Sequence, residues 1–379
     1  VQSTAAATLD IIGGTGKYFN NMGVPGAKSY HLVASGYGSA VNLSLGKANP
    51  YFVRFATSAT TSVLADTMAQ KPSFYTLWIG NNDVLSYATS GGLGVDQKGN
   101  LDPSTYGSND ITDPNVVASV IKNVILGLKS ANANSKGAIA NIPYVTSIPY
   151  FTAVPYNPVP LSSASASTLN TSFSAINAKL KSVGMAERFS TLTASTSNPV
   201  LIIDKSLTDI SAYLPAQYAI YGQARHATAN DLILLPASSV IGIDPTTGLP
   251  PTSTSTKING VTIPLADQLV LTEKEAAKVI AATDAYNASI SSLATAYGLA
   301  LVDANGKMKE LGTTSGIQYN GVKYTASFIT GGTFSLDGVH PNGRGYAIIA
   351  NTFIKAINNT YFSTLPFVDI NAYSGVTFP

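Results

Sequence analysis

Residues 74–83 read Phe-Tyr-Thr-Leu-Trp-Ile-Gly-Asn-Asn-Asp, an apolar run that stops at a glycine and continues into polar residues. An apolar run of this length without alternation is typical of a strand buried on both faces of a parallel sheet. Because ligands bind at the carboxyl ends of such strands, the polar residues that follow are expected at a functional edge of the sheet.

Three further runs have the same character: residues 137–142, 200–203 and 299–302. We predict that they are parallel strands of the same sheet. Helical periodicity and capping signals predict helices between them: one capped by Asp113 with Pro114 at its first position, one over 167–183, one from a Thr272–Glu275 capping box to about Tyr297, and one over about 343–358. Strands that alternate with helices indicate an α/β fold in which helices cover both faces of a mostly parallel sheet.

Two stretches interrupt this alternation. Residues 84–112 are rich in Gly, Asp, Asn and Ser and are predicted to form a long loop. Residues 205–271 contain a Pro/Ser/Thr-rich segment and short alternating runs, and are predicted to be an insertion with a hairpin or short helices. Such insertions often cover a site as a lid, and surface decoration is an equally open alternative.

The composition limits the classes of function. The chain has 379 residues, of which 45% are hydrophobic and 11% charged, with a net charge of +2 and no cysteine. No basic block is present, so no nucleic-acid partner is expected. The absence of cysteine excludes disulfides and thiol chemistry, and three scattered histidines do not predict a metal site. A charge-poor surface rich in Ser, Thr, Asn and Tyr favours an extracytoplasmic location, and no run reaches the ~18 apolar residues of a membrane span.

The strongest chemical signal lies near the C-terminus, where residues 335–346 read Ser-Leu-Asp-Gly-Val-His-Pro-Asn-Gly-Arg-Gly-Tyr. The spacing lets Asp337 fold back and accept the Nδ1–H of His340, which leaves Nε2 free as a general base. Gly338 permits the turn between them. For an isolated Asp-x-x-His an incidental histidine beside a capping aspartate would be the better interpretation, but the full string argues against it.

Two weaker signals lie upstream. In Gly80-Asn81-Asn82-Asp83 the Asn82 amide can donate a hydrogen bond to an oxyanion, while Asp83 is expected to brace the loop. An ordinary polar turn after a strand is the alternative. In Val-Pro-Gly-Ala-Lys-Ser at 24–29, Gly26 lacks a Cβ, so its backbone N–H can approach a bound carbonyl. A simple Pro-Gly turn is the alternative there.

These three blocks, in this order, resemble the SGNH (GDSL-like) hydrolase family. The resemblance implies a flavodoxin-like three-layer α/β/α fold and a single domain over 1–379, with Asp337 and His340 as catalytic residues and Gly26 and Asn82 as oxyanion donors. It places Gly80 and Asp83 in the substrate site. The activity implied is hydrolysis of a small-molecule, lipid or carbohydrate ester without a cofactor. The strings around Gly26, residues 77–84 and residues 141–149 look like large lipase/esterase-like lipoproteins of Bacteroidetes, which implies an outer-membrane setting and association with a surface protein complex.

One block of that family is missing, because no Gly-Asp-Ser, Gly-Asn-Ser or Gly-x-Ser-x-Gly occurs in the chain. The nearest serines to the glycine block, Ser3, Ser29 and Ser35, lack the strand-turn-helix context of a nucleophile. We therefore expect the serine on a first β-α unit in a preceding N-terminal segment of the same protein. A catalytically inactive binding or scaffold protein is the alternative. His31 and His226 are predicted to be structural.

Overall fold

The computed structural model describes residues 19–252 and 254–376. A parallel sheet forms its centre, with strand order β1 (Phe74–Leu77), β2 (Lys136–Ala140) and β7 (Ala300–Val302). The register pairs Tyr75 with Gly137 and Leu77 with Ile139. A Cβ on Gly137 would overlap the Tyr75 ring, so glycine is required at this position. The predicted parallel strands at 74–79, 137–142 and 299–302 are thereby confirmed, each slightly shorter than its apolar run.

The α-helices, in chain order, are α1 (Pro50–Val53), α2 (Val63–Ala69), α3 (Asn82–Thr89), α4 (Pro114–Ala131), α5 (Pro149–Thr152), α6 (Ser163–Ser182), α7 (Glu273–Tyr297), α8 (Ala304–Leu311) and α9 (Gly343–Tyr361). The four predicted helices correspond to α4, α6, α7 and α9. The Asp113 side chain caps α4, and the Glu275 carboxylate accepts the Thr272 N–H at 2.8 Å at the start of α7.

Helices cover both faces of the sheet, which confirms the three-layer α/β/α arrangement. On one face Ile139 packs into a large core with α4 and α7, through side chains such as Ile121 and Ile290. On the other face Ala138 and Ala300 pack against α9. The small alanines let this helix approach the sheet closely, because little side-chain volume lies between them.

The prediction that 200–203 is a parallel strand of the same sheet is wrong. Strand β3 (Leu201–Ile203) pairs antiparallel with β4 (Ala224–His226), away from the central sheet. Two separate clusters of buried apolar residues surround this hairpin. A short apolar run fits a buried strand of either kind, so the pattern itself could not distinguish them.

The insertion consists of short elements, as expected. Besides β4 it contains β5 (Leu232–Ile233), which pairs antiparallel with β6 (Val270–Leu271), and several 3-10 turns. A buried ion-pair network ties it to α7, since Arg225 binds Asp231 at 2.6 Å and the Asp231 carboxylate accepts the Glu273 N–H at 3.1 Å. A further hairpin, β8 (Ile317–Tyr319) and β9 (Val322–Tyr324), precedes the C-terminal loop.

The prediction of one long loop over 84–112 is wrong for its first part, because α3 occupies Asn82–Thr89. The remainder holds a 3-10 turn at Pro103–Thr105 and is otherwise irregular. Val84 and Tyr87 of α3 are buried in the main core, and this packing outweighs the low helix propensity of the surrounding Asn, Ser and Gly residues. Among the residues described, no helix is long and apolar enough to cross a membrane.

Candidate active site

The loop that precedes α9 holds an aspartate–histidine pair. The Nδ1 atom of His340 lies 2.7 Å from Oδ2 of Asp337. The other carboxylate oxygen of Asp337 accepts the backbone N–H groups of Val339 at 2.8 Å and His340 at 2.9 Å. Gly338 has φ +70° and a Cβ there would lie 2.9 Å from the Tyr150 nitrogen, so the turn requires glycine. The local sequence therefore fixes the carboxylate against the imidazole.

The electrostatics of this pair favour an ionised carboxylate. Partial burial raises the pKa of Asp337, but hydrogen bonds from Ser335, His340 and Val339 lower it by a larger amount. The resulting pKa is about 2. The Ser335 hydroxyl donates to Oδ1 at 2.6 Å and is a residue that the sequence analysis missed. Its position two residues before an aspartate, at the start of a turn, was the available signal. An ionised acceptor at Nδ1 selects the tautomer whose Nε2 can take up a proton.

One cavity of about 360 Å³ brings together three of the predicted residues, because His340, Asn82 and Gly26 all line it. No side chain among the residues described hydrogen-bonds Nε2 of His340. The side chains of the pair are substantially exposed, 67% for His340 and 49% for Asp337, so the base is open to the solvent side of the cavity. The geometry thus leaves the basic nitrogen accessible to a reacting group.

The loop at residues 24–29, here called the glycine loop, is held in place by hydrogen bonds to Asp83. Gly26 has φ +76°, a conformation that favours glycine, and nothing lies within 4 Å of where its Cβ would be. Its N–H donates to no acceptor among the residues described. Three residues on, Ser29 donates its N–H and its hydroxyl to the Asp83 carboxylate at 2.8 and 2.7 Å. These bonds fix the loop and leave the Gly26 N–H for a ligand.

Asn82 is the first residue of α3 and links this helix to the glycine loop. Its Nδ2 donates to the Ala27 carbonyl at 2.9 Å. Because an amide nitrogen carries two hydrogens, a second donor remains for the cavity. The Asn82 amide therefore holds the Gly26 loop beside α3 through one hydrogen, and its other hydrogen can serve as the second predicted oxyanion donor.

Asp83 and Gly80, which the resemblance places in the substrate site, do not line the cavity that holds His340. The Asp83 carboxylate is fully buried beneath the glycine loop, where burial raises its pKa. It braces Ser29, in agreement with the expectation that it holds the loop, and its side chain has no exposed surface toward the cavity that holds His340. Gly80 lines a neighbouring cavity beside β1 and α2. It has φ +114°, and a Cβ there would overlap the Ile142 side chain, so the glycine serves the backbone turn after β1.

The serines near the glycine block are engaged elsewhere. Ser29 is buried on Asp83, and the Ser35 hydroxyl donates to the Thr60 carbonyl at 2.7 Å. Ser3 lies outside the described residues. No Ser or Thr hydroxyl in the part of the chain that the structure describes hydrogen-bonds the His340 ring.

The other two histidines are in structural positions. His31 accepts the Lys28 N–H at Nδ1 and stacks on Tyr37, and burial lowers its pKa to about 4. His226 is buried in the insertion and accepts the Ser190 N–H at 3.0 Å, and burial likewise lowers its pKa to about 4. Across residues 19–252 and 254–376, no group of three or more His, Asp or Glu side chains could hold a metal ion.

Most of the remaining cavity wall is apolar. The loop after β2 contributes Val145 and Ile148, and α8 contributes Met308 and Leu311. None of these could be predicted from the sequence, because ordinary apolar residues on a loop and a helix carry no signal of a shared cavity. None of the described residues of the insertion at 205–271 lines it. The insertion instead contacts the turn between Asp337 and His340, where Leu235 lies next to Gly338.

Comparison with known proteins gives one match. Residues 189–353 match the family model of the GDSL-like lipase/acylhydrolases, and this range includes Asp337 and His340. No curated protein and no solved structure matches the chain. The sheet with helices on both faces and the Asp337–His340 geometry agree with the family match. Residues 189–353, which include the Asp337–His340 pair, are therefore similar to the GDSL-like lipase/acylhydrolases.

Proposed function

We propose that this chain provides the general base, its orienting carboxylate and the oxyanion donors of a carboxylic ester hydrolase with a Ser-His-Asp triad. The nucleophilic serine lies on an N-terminal segment of the same protein, outside the described residues. The observation that carries the proposal is the shared cavity: His340, oriented by Asp337, opens onto the same space as Asn82 and Gly26.

The proposed reaction follows from these positions. His340 Nε2 takes the proton of the serine hydroxyl as its oxygen attacks the ester carbonyl. The Asp337 carboxylate stabilises the imidazolium that forms. The Gly26 N–H and the free hydrogen of the Asn82 amide stabilise the oxyanion. His340 then protonates the leaving alcohol, and a water molecule, activated by the same imidazole, releases the acid.

The walls of the cavity support an apolar acyl group. Val145, Ile148, Met308 and Leu311 face the space beside His340, and each apolar carbon removed from water there contributes favourably to binding. A cavity of about 360 Å³ lies at the small end of the range for small-molecule sites. These dimensions suit an ester of a lipid or of another small hydrophobic acid.

The alternative is a catalytically inactive SGNH-fold protein that binds or scaffolds at a bacterial surface. One observation favours it: among the described residues, no hydroxyl contacts His340. The low fraction of charged residues, 11%, supports an extracytoplasmic location for either function. An outer-membrane lipoprotein in a surface complex is the specific form of that location that we propose.

Hydrolysis of p-nitrophenyl esters of increasing acyl length by the protein as its gene encodes it tests the proposal. We expect turnover that His340→Ala removes without changing the melting temperature. Folded protein that hydrolyses none of the esters contradicts the enzyme and supports the scaffold.

A further inference from the structure

The turn at residues 335–340, here called the Asp–His turn, is closed by its own hydrogen bonds. The Ser335 N–H donates to the His340 carbonyl at 2.8 Å, and the Gly338 N–H donates to the Ser335 carbonyl at 3.1 Å. Together with the bonds to the Asp337 carboxylate, they fix the imidazole relative to its carboxylate. They do not fix the turn relative to the oxyanion donors, which lie on α3 and on the glycine loop.

Two contacts at Gly338 join the Asp–His turn to other elements. Within the described chain, a single hydrogen bond connects the turn to another element, and it runs from the Tyr150 N–H of α5 to the Gly338 carbonyl at 2.9 Å. Leu235 packs on the same glycine, because a Cβ at Gly338 would lie 3.1 Å from Cδ2 of Leu235. The Val339 side chain adds apolar contact with the main core. The turn therefore rests on α5 and on the insertion.

The two elements that support the turn are themselves joined. An antiparallel bridge pairs Val154, which follows α5, with Ile233 of β5. Phe151 of α5 and Leu234, which directly precedes Leu235, are both fully buried in the main core. Strand β5 also pairs with β6, and β6 leads directly into α7. Leu235 is thus attached to a part of the molecule that cannot shift without disturbing the core.

This contact gives the insertion at 205–271 a role that differs from both sequence-based alternatives. A lid would line the cavity that it covers, but none of the described residues of the insertion does so. Surface decoration would leave the site untouched, but Leu235 packs on the glycine between Asp337 and Val339. Since neither Leu235 nor Gly338 lines the cavity, the insertion meets the Asp–His turn outside it.

We propose that Leu235 is a positioning residue, which together with α5 holds the Asp–His turn at the distance from the oxyanion donors that the reaction requires. Proton transfer at Nε2 of His340 depends on this distance, and a displacement of about 1 Å can lower a rate by roughly 10². The inference rests on the proposed ester hydrolysis for its effect on the rate, whereas the anchoring of the turn can be measured without activity.

Residue-resolved NMR of the protein as its gene encodes it tests the anchoring. Leu235→Ala leaves a void beside Gly338, so the Tyr150 amide should exchange with solvent at least about tenfold faster. The neutral His340 ring should keep its proton on Nδ1, as its ¹⁵N chemical shifts report, because the bonds within the turn remain. The matched control is Leu214→Ala, which truncates another half-buried leucine at a 3-10 turn of the insertion, in the separate apolar cluster on α6. The control should change neither quantity.

Ester hydrolysis by the same variants tests the effect on the rate. Leu235→Ala should lower kcat by about 10–100-fold and change KM by less than about twofold, because the residue does not touch the cavity. Leu235→Met keeps the side-chain volume and should retain both kcat and the slow exchange of the Tyr150 amide. Leu214→Ala should leave kcat and KM unchanged.

Several results would overturn the proposal. They are Tyr150 exchange that is equal in Leu235→Ala and the unmodified protein, faster exchange with unchanged kcat in an active enzyme, and a raised KM at constant kcat. An equal effect of Leu214→Ala also overturns it, because general destabilisation would then be the cause. If Leu235→Ala does not fold, Leu235→Val gives the same comparison with a smaller void. Faster Tyr150 exchange in Leu235→Ala, when the unmodified protein hydrolyses no ester, supports the anchoring and contradicts the proposed function alone.

Discussion

Asp337→Asn is the substitution that most sharply probes the aspartate–histidine pair. In the structure Oδ1 of Asp337 accepts two backbone N–H groups and the Ser335 hydroxyl, while Oδ2 faces His340 Nδ1 at 2.7 Å. These three donors hold an oxygen at the Oδ1 position, so the amide nitrogen of an asparagine would face Nδ1. The imidazole would then accept at Nδ1 and carry its proton on Nε2, where it cannot act as a base.

The size of the effect follows from exposure. In the Ser-His-Asp template, Asp→Asn lowers kcat by about 10⁴ through the wrong tautomer. Here the two side chains are 49% and 67% exposed, so water can compete for Nδ1 and part of the population keeps the productive tautomer. We therefore expect kcat/KM to fall by roughly 10²–10³. The melting temperature should change by less than about 3 °C, because the hydrogen bonds to Oδ1 remain.

The assay is ester hydrolysis by the protein as its gene encodes it, with Asp102→Asn as the matched control. Asp102 is also an aspartate that accepts a backbone N–H and a serine hydroxyl, both from Ser104, but it lies outside the cavity. A loss of less than about fivefold for Asp337→Asn, or an equal loss for the control, would refute the tautomer argument.

Three further substitutions follow. Asn82→Ala should lower kcat by about 10²–10³ through loss of an oxyanion donor, measured by the same assay. Gly80→Ala should lower the melting temperature far more than Gly99→Ala, because both glycines have positive φ but a Cβ clashes only at Gly80. Asp231→Ala should cost about 1–3 kcal/mol in chemical denaturation, because it removes two hydrogen bonds from Arg225 in a partly buried site and leaves Asp204 as its remaining ion-pair partner. Burial raises the pKa of Asp231, but hydrogen bonds from Arg225 bring it below 3.8, so this stabilisation should be complete above pH 3.8 and disappear as the pH falls further.

Each of these has a result that contradicts it. Asn82→Ala with unchanged kcat and a raised KM would show that the amide only positions the glycine loop through Ala27. Equal melting temperatures for the two glycine variants would contradict the clash at Gly80. Acid unfolding curves that are identical for wild type and Asp231→Ala would show that the Arg225 pair contributes nothing to stability.

Local signals predicted much of the fold from the sequence. Asp113-Pro114 and the Thr272–Glu275 capping box marked helix starts because capping depends on a few neighbouring residues. The pairing of residues 201–203 could not be read from the sequence, because parallel or antiparallel partners depend on residues far along the chain. Helix α3 was missed because its stability comes from tertiary burial of Val84 and Tyr87.

Some features of the candidate site could likewise be predicted from the sequence, and others could not. The Asp337–His340 contact could be predicted because three residues separate the partners and a glycine permits the turn. The fully buried position of Asp83 could not, since it depends on the glycine loop folding over it through Ser29. The apolar wall from Met308 and Leu311 likewise follows from how α8 packs beside the sheet.

The Ser-His-Asp triad is tested most directly by fluorophosphonate labelling of the protein as its gene encodes it, with the modified residue identified by peptide mass spectrometry. We expect a single labelled serine N-terminal to Phe19, in a Gly-Asp-Ser or Gly-Asn-Ser sequence, and loss of the label in His340→Ala. A folded protein that takes up no label, or takes it up on a serine between Phe19 and Val376, would contradict it.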